Sequence, residues 1–354
     1  MADAPLLSLR AVGKRFVQPV DLVGRLANLL GAGNRATVVQ AVSGVDLDVQ
    51  AGEVVGVVGE SGCGKSTLGR MIAGISPPSA GEIRYQGRPV ERLAGRERRA
   101  YELGVQMIFQ NPMASLNPRL RVLDIIGEAP VVHGIVPAAA KADYVAGLMR
   151  QVGLDPGYGQ RYPHQFSGGQ RQRIGIARAL ALKPRIIVCD EAVAALDVSI
   201  QAQVLNLFAD LRQEFDLTYL FISHNLGVVG HLADRVVIMY LGRIVEVAAT
   251  SVVFSRPNHP YTRALLAELP RLETQRREYQ PIRGELPSPL APPAGCAFHP
   301  RCPHAMPRCR QETPVLRPLG DGHASACHLN DHLGDDLDHA GRQPVPAPHL
   351  ATAS

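Results

Sequence analysis

The sequence of 354 residues has no hydrophobic run that approaches the roughly 20 apolar residues a membrane-spanning helix needs. Its first residues, MADAPLLSLRAVGKRF, also lack the basic, then apolar, then small-residue order of a secretory signal peptide. Hydrophobic residues make up 46% of the chain and charged residues 19%, which is the composition of a globular protein rather than a disordered one. We therefore expect a soluble, cytosolic protein.

Tryptophan is absent, which excludes nothing by itself, and a concentrated block of positive charge is also missing. The 37 basic residues outnumber the 32 acidic ones, but they are scattered along the chain. The densest run, GRPVERLAGRERRAYE, mixes both signs and is typical of a solvated face. No nucleic-acid partner is therefore expected, because a surface that binds nucleic acid needs a basic stripe or patch.

Cysteine is scarce, yet four of the six cysteines lie close together near the end of the chain: Cys296, Cys302, Cys309 and Cys327. In the cytosol, clustered cysteines more often hold a metal than form disulfides. The C-x-x-C spacing of zinc knuckles is missing, and the longer gaps favour a 4Fe-4S cluster over zinc. Nearby histidines leave a mixed Cys/His zinc site open, and four reduced thiols are the third alternative; these histidines are His299, His304, His323 and His328.

Buried strands alternate with helices along the first 250 residues. The continuous apolar runs RIIVCD and LTYLFIS are typical of strands buried on both faces of a parallel sheet. Helical periodicity is present in the segment KSTLGRMIAGI, over most of residues 112–180 and again in SIQAQVLNLFADLRQEF. This order predicts an α/β fold with a parallel sheet.

Composition divides the chain into a main domain, an extension and a tail. The α/β pattern predicts a domain over 1–255, and the rise in proline after it predicts a C-terminal extension over 256–330 that contains the cysteines. Residues 331–354 are predicted to be a disordered tail. Residues 17–38 interrupt the first strands and fit either an insertion loop or one or two helical turns.

The segment GESGCGKST satisfies the pattern G-x-x-x-x-G-K-S/T and lies between the strand EVVGVV and a predicted helix. Its glycines let the backbone turn successive N–H groups toward phosphate oxygens, and the helix N-terminus adds its positive end. Lys65 would then bridge the β- and γ-phosphates of a nucleotide, and the Ser66 hydroxyl would bind Mg²⁺. An incidental glycine-rich turn does not explain the flanking strand and helix. The predicted loop consists of Gly59, Glu60, Ser61, Gly62, Cys63, Gly64, Lys65, Ser66 and Thr67.

Four polar residues follow buried or strand-like segments, where open α/β sheets bind ligands. Asp190 ends the strand RIIVCD and is a candidate Mg²⁺ ligand, while Glu191 can polarise the attacking water. Gln110 follows the strand-like run in MIFQNP and is a candidate for catalysis and for Mg²⁺ binding. His224 follows LTYLFIS, where a γ-phosphate sensor would stand.

The segment FSGGQRQRIGIARAL places small residues at the start of a helix that has no phosphate loop of its own. This second anion-binding helix N-terminus is one more than a single site needs. Its predicted nucleotide-binding residues are Ser167, Gly168, Gly169 and Gln170. With the phosphate loop, Gln110, FSGGQ, IIVCDE, AALD and His224 in this order, residues 6–250 resemble the ATP-binding cassette (ABC) family of transporter ATPases.

The resemblance implies a P-loop NTPase fold: a RecA-like parallel core with an antiparallel β subdomain and a helical signature subdomain. It also implies that two such domains meet head to tail, each closing the other's ATP against its signature helix. Asp197, in AALD, and Phe16, stacked on adenine, would join the nucleotide site; a core phenylalanine is the alternative for Phe16. The family usually has Leu at Phe166 and Pro at Ala192, and because neither change removes a charged group, we expect ATP hydrolysis.

Several stretches, among them RPNHPYTRALLAELP, resemble the peptide and nickel importer branch, the dipeptide and oligopeptide ATPases, and within it the second of two ATPases. Extensions in that branch carry a cysteine pattern like the one here, which lies about forty residues past the ATPase core and is expected to stand outside the hydrolytic machinery. The implied partners are a paralogous ATPase or a second copy, two transmembrane permease subunits and an extracytoplasmic solute-binding protein. The chain would then lie at the cytoplasmic face of the membrane. The alternative function is a non-transport ABC ATPase that acts on nucleic acid through a zinc-type cysteine module.

Overall fold

A computed structural model describes residues 4–18, 37–269 and 284–332. The insertion predicted within 17–38 lies outside the described residues apart from the strand ends that flank it. The tail predicted at 331–354 lies outside them apart from its first two residues.

The described chain forms strands and helices in the alternation that the sequence predicts. The strands are β1 (Leu7–Gln18), β2 (Thr37–Val49), β3 (Val54–Val58), β4 (Ala80–Tyr85), β5 (Arg88–Pro89), β6 (Val105–Ile108), β7 (Ile186–Asp190), β8 (Thr218–Ser223), β9 (Arg235–Tyr240), β10 (Arg243–Ala249), β11 (Arg317–Gly320) and β12 (His323–Ser325). The helices are α1 (Lys65–Ile72), α2 (Gly95–Gly104), α3 (Pro112–Ser115), α4 (Val122–Val132), α5 (Lys141–Gln151), α6 (Gly168–Leu180), α7 (Val198–Phe215), α8 (Leu226–Leu232), α9 (Thr250–Ser255) and α10 (Pro260–Ala267).

The main sheet has the strand order β11-β12-β10-β9-β3-β8-β7-β6. Strands β9, β3, β8, β7 and β6 run parallel to one another, whereas β10 pairs antiparallel with β9, and every residue of β3, β7 and β8 is buried. The runs RIIVCD and LTYLFIS are therefore confirmed as central strands. Because parallel strands end at one edge of a sheet, the segments that follow β3, β7 and β8 meet there.

Hydrophobic cores lie on both faces of the main sheet. Successive side chains of β3 point to opposite faces, so that Val54 and Val58 join one core while Val55 and Val57 join the other. The first core also contains buried residues of α6, α7 and α8, and the second contains residues of α1. A sheet covered on both faces explains why its strands read as continuous apolar runs.

A second, antiparallel sheet has the order β2-β1-β4-β5 and packs into the core on the same side as α1. Helices α3 to α6 lie within residues 112–180, the segment for which the sequence predicts a helical region. The α/β fold with an added antiparallel sheet is confirmed. None of the helices in the described ranges is long and apolar enough to cross a membrane.

The C-terminal extension continues the main sheet. Strand β12 pairs with β10, where Ser325 lies opposite Glu246 and Ala324 opposite Val247, and β11 pairs with β12 on its outer side. Phe298, also in the extension, is buried with its ring 5.3 Å from that of Tyr240 at the end of β9. The sequence indicates where the extension begins but not that it packs on the ATPase core.

Candidate nucleotide site

The phosphate loop joins the end of β3 to the start of α1, as predicted. Gly62 and Gly64 have φ values of 82° and 103°, in the left-handed region that favours glycine, and Gly64 caps the N-terminus of α1. A Cβ atom at Gly64 would lie 2.2 Å from the carbonyl oxygen of Ala41, and one at Gly59 would lie 2.2 Å from that of Met239. The loop therefore needs glycine both for its turns and for its close packing.

Lys65 is held across this loop with only 3% of its surface exposed. Its Nζ donates hydrogen bonds to the carbonyl oxygens of Gly59, at 2.7 Å, and Glu60, at 2.9 Å. The Cys63 Sγ atom lies 3.8 Å from the same nitrogen. Since a thiol is a weak acceptor, a phosphate oxygen would readily take the third N–H.

The remaining loop residues contribute mainly through their backbone. The Cys63 side chain is buried and points into the core, and burial raises the pKa of its thiol. Ser61 and Gly62 are exposed at the tip of the loop, while Thr67 lies in the first turn of α1. The main-chain N–H groups of the loop remain the predicted anion-binding element.

Two side-chain oxygens that could bind a metal ion meet beside the loop. The Ser66 hydroxyl donates a hydrogen bond of 2.6 Å to Oδ1 of Asp190, the last residue of β7. Asp190 is buried, and desolvation raises its pKa, although the Ser66 hydrogen bond and the charge of Arg70 act in the opposite direction. A hydroxyl and a carboxylate side by side are hard oxygen donors that suit Mg²⁺. These two residues thus fit the ion that the family implies.

Glu191, the residue after Asp190, has an unusual backbone conformation and a different set of side-chain partners. It has a φ of 48°, which is strained for a residue with a side chain and is typical of functional sites. The Gln110 amide nitrogen donates a 2.7 Å hydrogen bond to Glu191 Oε2, and His224 Nδ1 lies 3.5 Å from the same oxygen. Gln110, Glu191 and His224, which are far apart in the sequence, therefore form one cluster.

The predicted second helix N-terminus is that of α6. The Ser167 hydroxyl accepts a 3.3 Å hydrogen bond from the N–H of Gln170, whose side-chain oxygen accepts a 3.0 Å bond from the N–H of Ser167. A Cβ atom at Gly169 would lie 2.5 Å from the Ile200 side chain, so glycine permits close packing on α7. Ser167 and Gly168 are exposed, and among the described residues no hydrogen bond joins this N-terminus to the phosphate loop of its own chain.

The other predicted nucleotide-binding residues lie at the surface. Phe16 is 45% exposed in β1 with Lys14 Nζ 5.3 Å from its ring centre, which is not the environment of a core phenylalanine. Asp197 occupies the N-cap position of α7 and is exposed. The two departures from the family pattern, Phe166 and Ala192, are both buried apolar residues, as their side chains require.

The sequence gives no indication of the contact between the phosphate loop and the C-terminal extension. The Arg301 guanidinium donates two hydrogen bonds, of 2.6 and 2.9 Å, to the carboxylate of Glu60, and the hydroxyl of Tyr261 accepts a 2.8 Å bond from the Glu60 N–H. Glu60 and Arg301 are 241 residues apart in the sequence, so only the fold can show that they pair. The extension expected to stand outside the hydrolytic machinery therefore contacts it directly.

The four clustered cysteines all have free thiols and line one small cavity, together with His299, His304 and His328. Burial raises the pKa of the Cys296, Cys302 and Cys327 thiols, that of Cys327 to about 11, and interactions among the thiolates add to this effect. Within the described ranges, no three His, Cys, Asp or Glu side chains are already spaced as ligands of a metal ion. His323, named above as a possible zinc ligand, instead lies 2.8 Å from Glu246.

Known proteins match both parts of the chain. Residues 42–194 match the family model described as ABC transporter, and residues 245–309 match that of the oligopeptide/dipeptide transporter C-terminal region. The probable peptide ABC transporter ATP-binding protein y4tS of Sinorhizobium fredii is 48% identical over 90% of this chain and 87% of its own length. The di/tripeptide transport ATP-binding protein DppF of Pseudomonas aeruginosa is 50% identical over 84% of this chain and 92% of its own.

A solved bacterial ABC transporter cassette, MJ0796, has a similar fold, with a TM-score of 0.57 and 25% identity over 69% of this chain and 98% of that one. The fold, the site and these matches define an ABC transporter ATPase, an enzyme of ATP hydrolysis. Within that class, the chain belongs to the ATP-binding subunits of the dipeptide and oligopeptide transporter family.

Proposed function

We propose that this chain hydrolyses Mg-ATP to power the import of di- or oligopeptides. The observation that most directly supports this proposal is that Asp190 and Glu191 are consecutive residues at the carboxyl edge of the main sheet. Asp190 is hydrogen-bonded to Ser66, and Glu191 is hydrogen-bonded to Gln110. This places a metal-binding pair directly beside a candidate general base. The peptide cargo is supported by the names of the relatives and by the match of the extension.

The site residues divide the work of phosphoryl transfer among them. The N–H groups of the phosphate loop and Lys65 would hold the phosphates. Ser66, Asp190 and the side-chain oxygen of Gln110 would hold Mg²⁺. The bound ion would offset the charge that develops on the phosphate oxygens. Glu191 would accept the proton of the water that attacks the γ-phosphorus, and His224 would hold the γ-phosphate.

We propose that two ATPase subunits meet head to tail, the partner being a paralogous ATPase or a second copy. The exposed N-terminus of α6, with Ser167, would then close the partner's ATP site, beside the nearby start of α7. There Asp197 is exposed and Val198 is 84% exposed, so burial in an interface would be favourable for Val198. The MJ0796 cassette has been solved as a dimer.

The remaining partners are proposed from the family. Two transmembrane permease subunits would hold the chain at the cytoplasmic face of the membrane, and an extracytoplasmic solute-binding protein would deliver the peptide. Gln110 lies between β6 and the helices of residues 112–180, so a change in its contact with Glu191 would be transmitted to the region proposed to grip the permease.

Co-purified with its co-encoded partners and reconstituted in vesicles, the chain should hydrolyse ATP faster when a peptide and the solute-binding protein are present, and labelled peptide should accumulate inside. Amino acids should serve as the control cargo. Hydrolysis that no peptide stimulates, together with the absence of peptide uptake, would contradict the proposed cargo but not the ATPase assignment.

The nucleic-acid alternative loses support from the position of the extension. Its hairpin is paired with β10 and its Phe298 is buried against the ATPase core. A module that reads nucleic acid would need a basic surface of its own. Here Arg308 and Arg317 pair with Asp331, and Arg301 pairs with Glu60.

We further propose that the cysteine cavity holds a 4Fe-4S cluster, with zinc as the second choice. The donor set fits, because Cys296, Cys302, Cys309 and Cys327 line one cavity and cluster-bound cysteines are thiolates. A bound cluster would supply cross-links for an extension that has little core of its own, or sensitivity to oxidants.

Purified without oxygen, the chain should contain about four irons and four sulfides and absorb visible light. The variant Cys302→Ser should lose most of the iron, whereas Cys189→Ala, at a cysteine in β7 outside the cavity, should retain it. If the cluster is a staple, Cys302→Ser should make the extension protease-sensitive. If it is a sensor, transport should stop responding to oxidant. One zinc and no iron would favour the second choice, and neither metal would reject both.

A further inference from the structure

Glu60 of the phosphate loop is held from three directions by groups outside the loop or across it. Its carboxylate accepts two hydrogen bonds from Arg301, its N–H donates to the hydroxyl of Tyr261, and its carbonyl oxygen accepts from Lys65 Nζ at 2.9 Å. The residue whose side chain is held by Arg301 and whose N–H is held by Tyr261 thus also accepts a hydrogen bond from the ammonium that is to meet the phosphates.

Arg301 is firmly placed for this contact. Its side chain is only 6% exposed, and besides Glu60 it lies within 3.4 Å of the hydroxyl of Tyr240. The pKa of Arg301 is raised chiefly by the hydrogen bonds to Glu60, so the guanidinium stays charged. Two parallel N–H···O bonds to a carboxylate fix direction as well as distance.

Arg301 lies next to a cluster of aromatic side chains that come from both the ATPase domain and the C-terminal extension. Arg301 ends a short helical turn, His299–Arg301, that directly follows Phe298. The Phe298 ring lies 5.3 Å from that of Tyr240 and 5.4 Å from that of Tyr261, and the Tyr240 and Tyr261 rings lie 4.7 Å apart. Arg301 and the Tyr261 hydroxyl are therefore positioned by one packed cluster.

We propose that Arg301 is a positioning residue for ATP binding and hydrolysis, acting through Glu60 on the phosphate loop and on Lys65. The extension is then a part of the nucleotide site rather than an appendage. The extension would hold the loop in its phosphate-binding conformation before ATP binds, which lowers the entropy cost of ordering the loop on binding. This inference rests on the ATP site proposed above.

The test compares ATP hydrolysis by the chain assembled with its co-encoded partners, either as wild type or as Arg301→Met, which keeps much of the side-chain length but loses the charge. The KM for ATP should rise about tenfold, equivalent to about 1.4 kcal/mol, while kcat at saturating ATP changes by less than about threefold. Arg301→Lys should recover a large part of the loss, since one charge-assisted hydrogen bond to Glu60 is retained. A residue with only a structural role would change the melting temperature without this split between KM and kcat.

Two further variants keep the test decisive. Arg308→Met removes an arginine whose ion pairs, with Glu312 and Asp331, do not involve the phosphate loop, and it should leave the KM unchanged. Glu60→Gln, which leaves the backbone contacts of the loop in place, should raise the KM even if Arg301→Met fails to fold, and the double variant should be no worse than the poorer single one. A KM within twofold of wild type in either folded variant would overturn the inference. A wild-type complex without ATPase activity would instead reject the proposed function.

Discussion

Replacing Glu191 by Gln should slow ATP hydrolysis by at least about a hundredfold, because a general base in phosphoryl or acyl transfer commonly contributes a factor of about 10² to 10⁴. The amide keeps the size of the side chain and an oxygen that can accept the hydrogen bond from Gln110, but it cannot take a proton from water. ATP binding should be retained, because the loop, Lys65 and Ser66 are unchanged. Phosphate release and the affinity for a fluorescent ATP analogue measure the two effects separately.

The matched control is Glu214→Gln, at an exposed glutamate in α7 that accepts a hydrogen bond from Gln151. It should hydrolyse ATP at the wild-type rate. Undiminished hydrolysis by Glu191→Gln would remove Glu191 from the role of base. Loss of ATP binding in this variant would mean that the strained backbone at Glu191 supports the loop as well.

Replacing Glu246 by Ala should destabilise the chain by about 3 to 5 kcal/mol, because each buried donor that loses its acceptor costs about 1 to 3 kcal/mol. Glu246 is fully buried in β10 and accepts hydrogen bonds from the backbone N–H groups of Asn258 and His259, with His323 Nε2 2.8 Å away. Burial alone would raise its pKa, but the hydrogen bonds from His323 and from the backbone outweigh burial and lower the pKa below the usual range of a glutamate. The Ala variant would leave these donors without an acceptor in a dry interior.

The melting temperature should fall by roughly 10 °C, and proteolysis should release the extension first, because His323 belongs to the hairpin β11–β12. Since the pKa of Glu246 is lower in the folded chain, its contribution is present above about pH 4.5 and is lost as the pH falls further. Glu102→Ala serves as the control, because its ion pair with Arg98 is exposed and should change stability by less than about 1 kcal/mol. A melting temperature within about 2 °C of wild type for Glu246→Ala would contradict this account.

The sequence alone was sufficient for the parts of the site that local pattern determines. Each central strand is an apolar run, and the polar residue that follows it must lie at the carboxyl edge of a parallel sheet. That rule places Asp190, Glu191 and His224 beside the phosphate loop without any further information, and the helix that follows the loop is confirmed as α1.

The contacts of the extension could not be predicted in the same way. The strands RPLG and HAS are too short to show alternation, and their pairing with β10 depends on an edge that exists only after the sheet has formed. Arg301 directly precedes Cys302 in the sequence, but a positive charge alone does not indicate which carboxylate it pairs with. Long-range ion pairs and sheet edges are properties of the folded chain, and a single sequence carries no direct sign of them.

The hairpin β11–β12 also changes what the chain presents to its neighbours in solution. Without it, β10 would be the edge strand of the main sheet, and the N–H and C=O groups around Glu246 and Val247 would be left unpaired, the kind of edge on which proteins aggregate. With it, the outermost strand is four exposed residues that include Arg317 and Pro318, and such short, charged, proline-containing strands resist further pairing. An ATPase shortened to remove the extension would therefore lose solubility as well as a support of its phosphate loop.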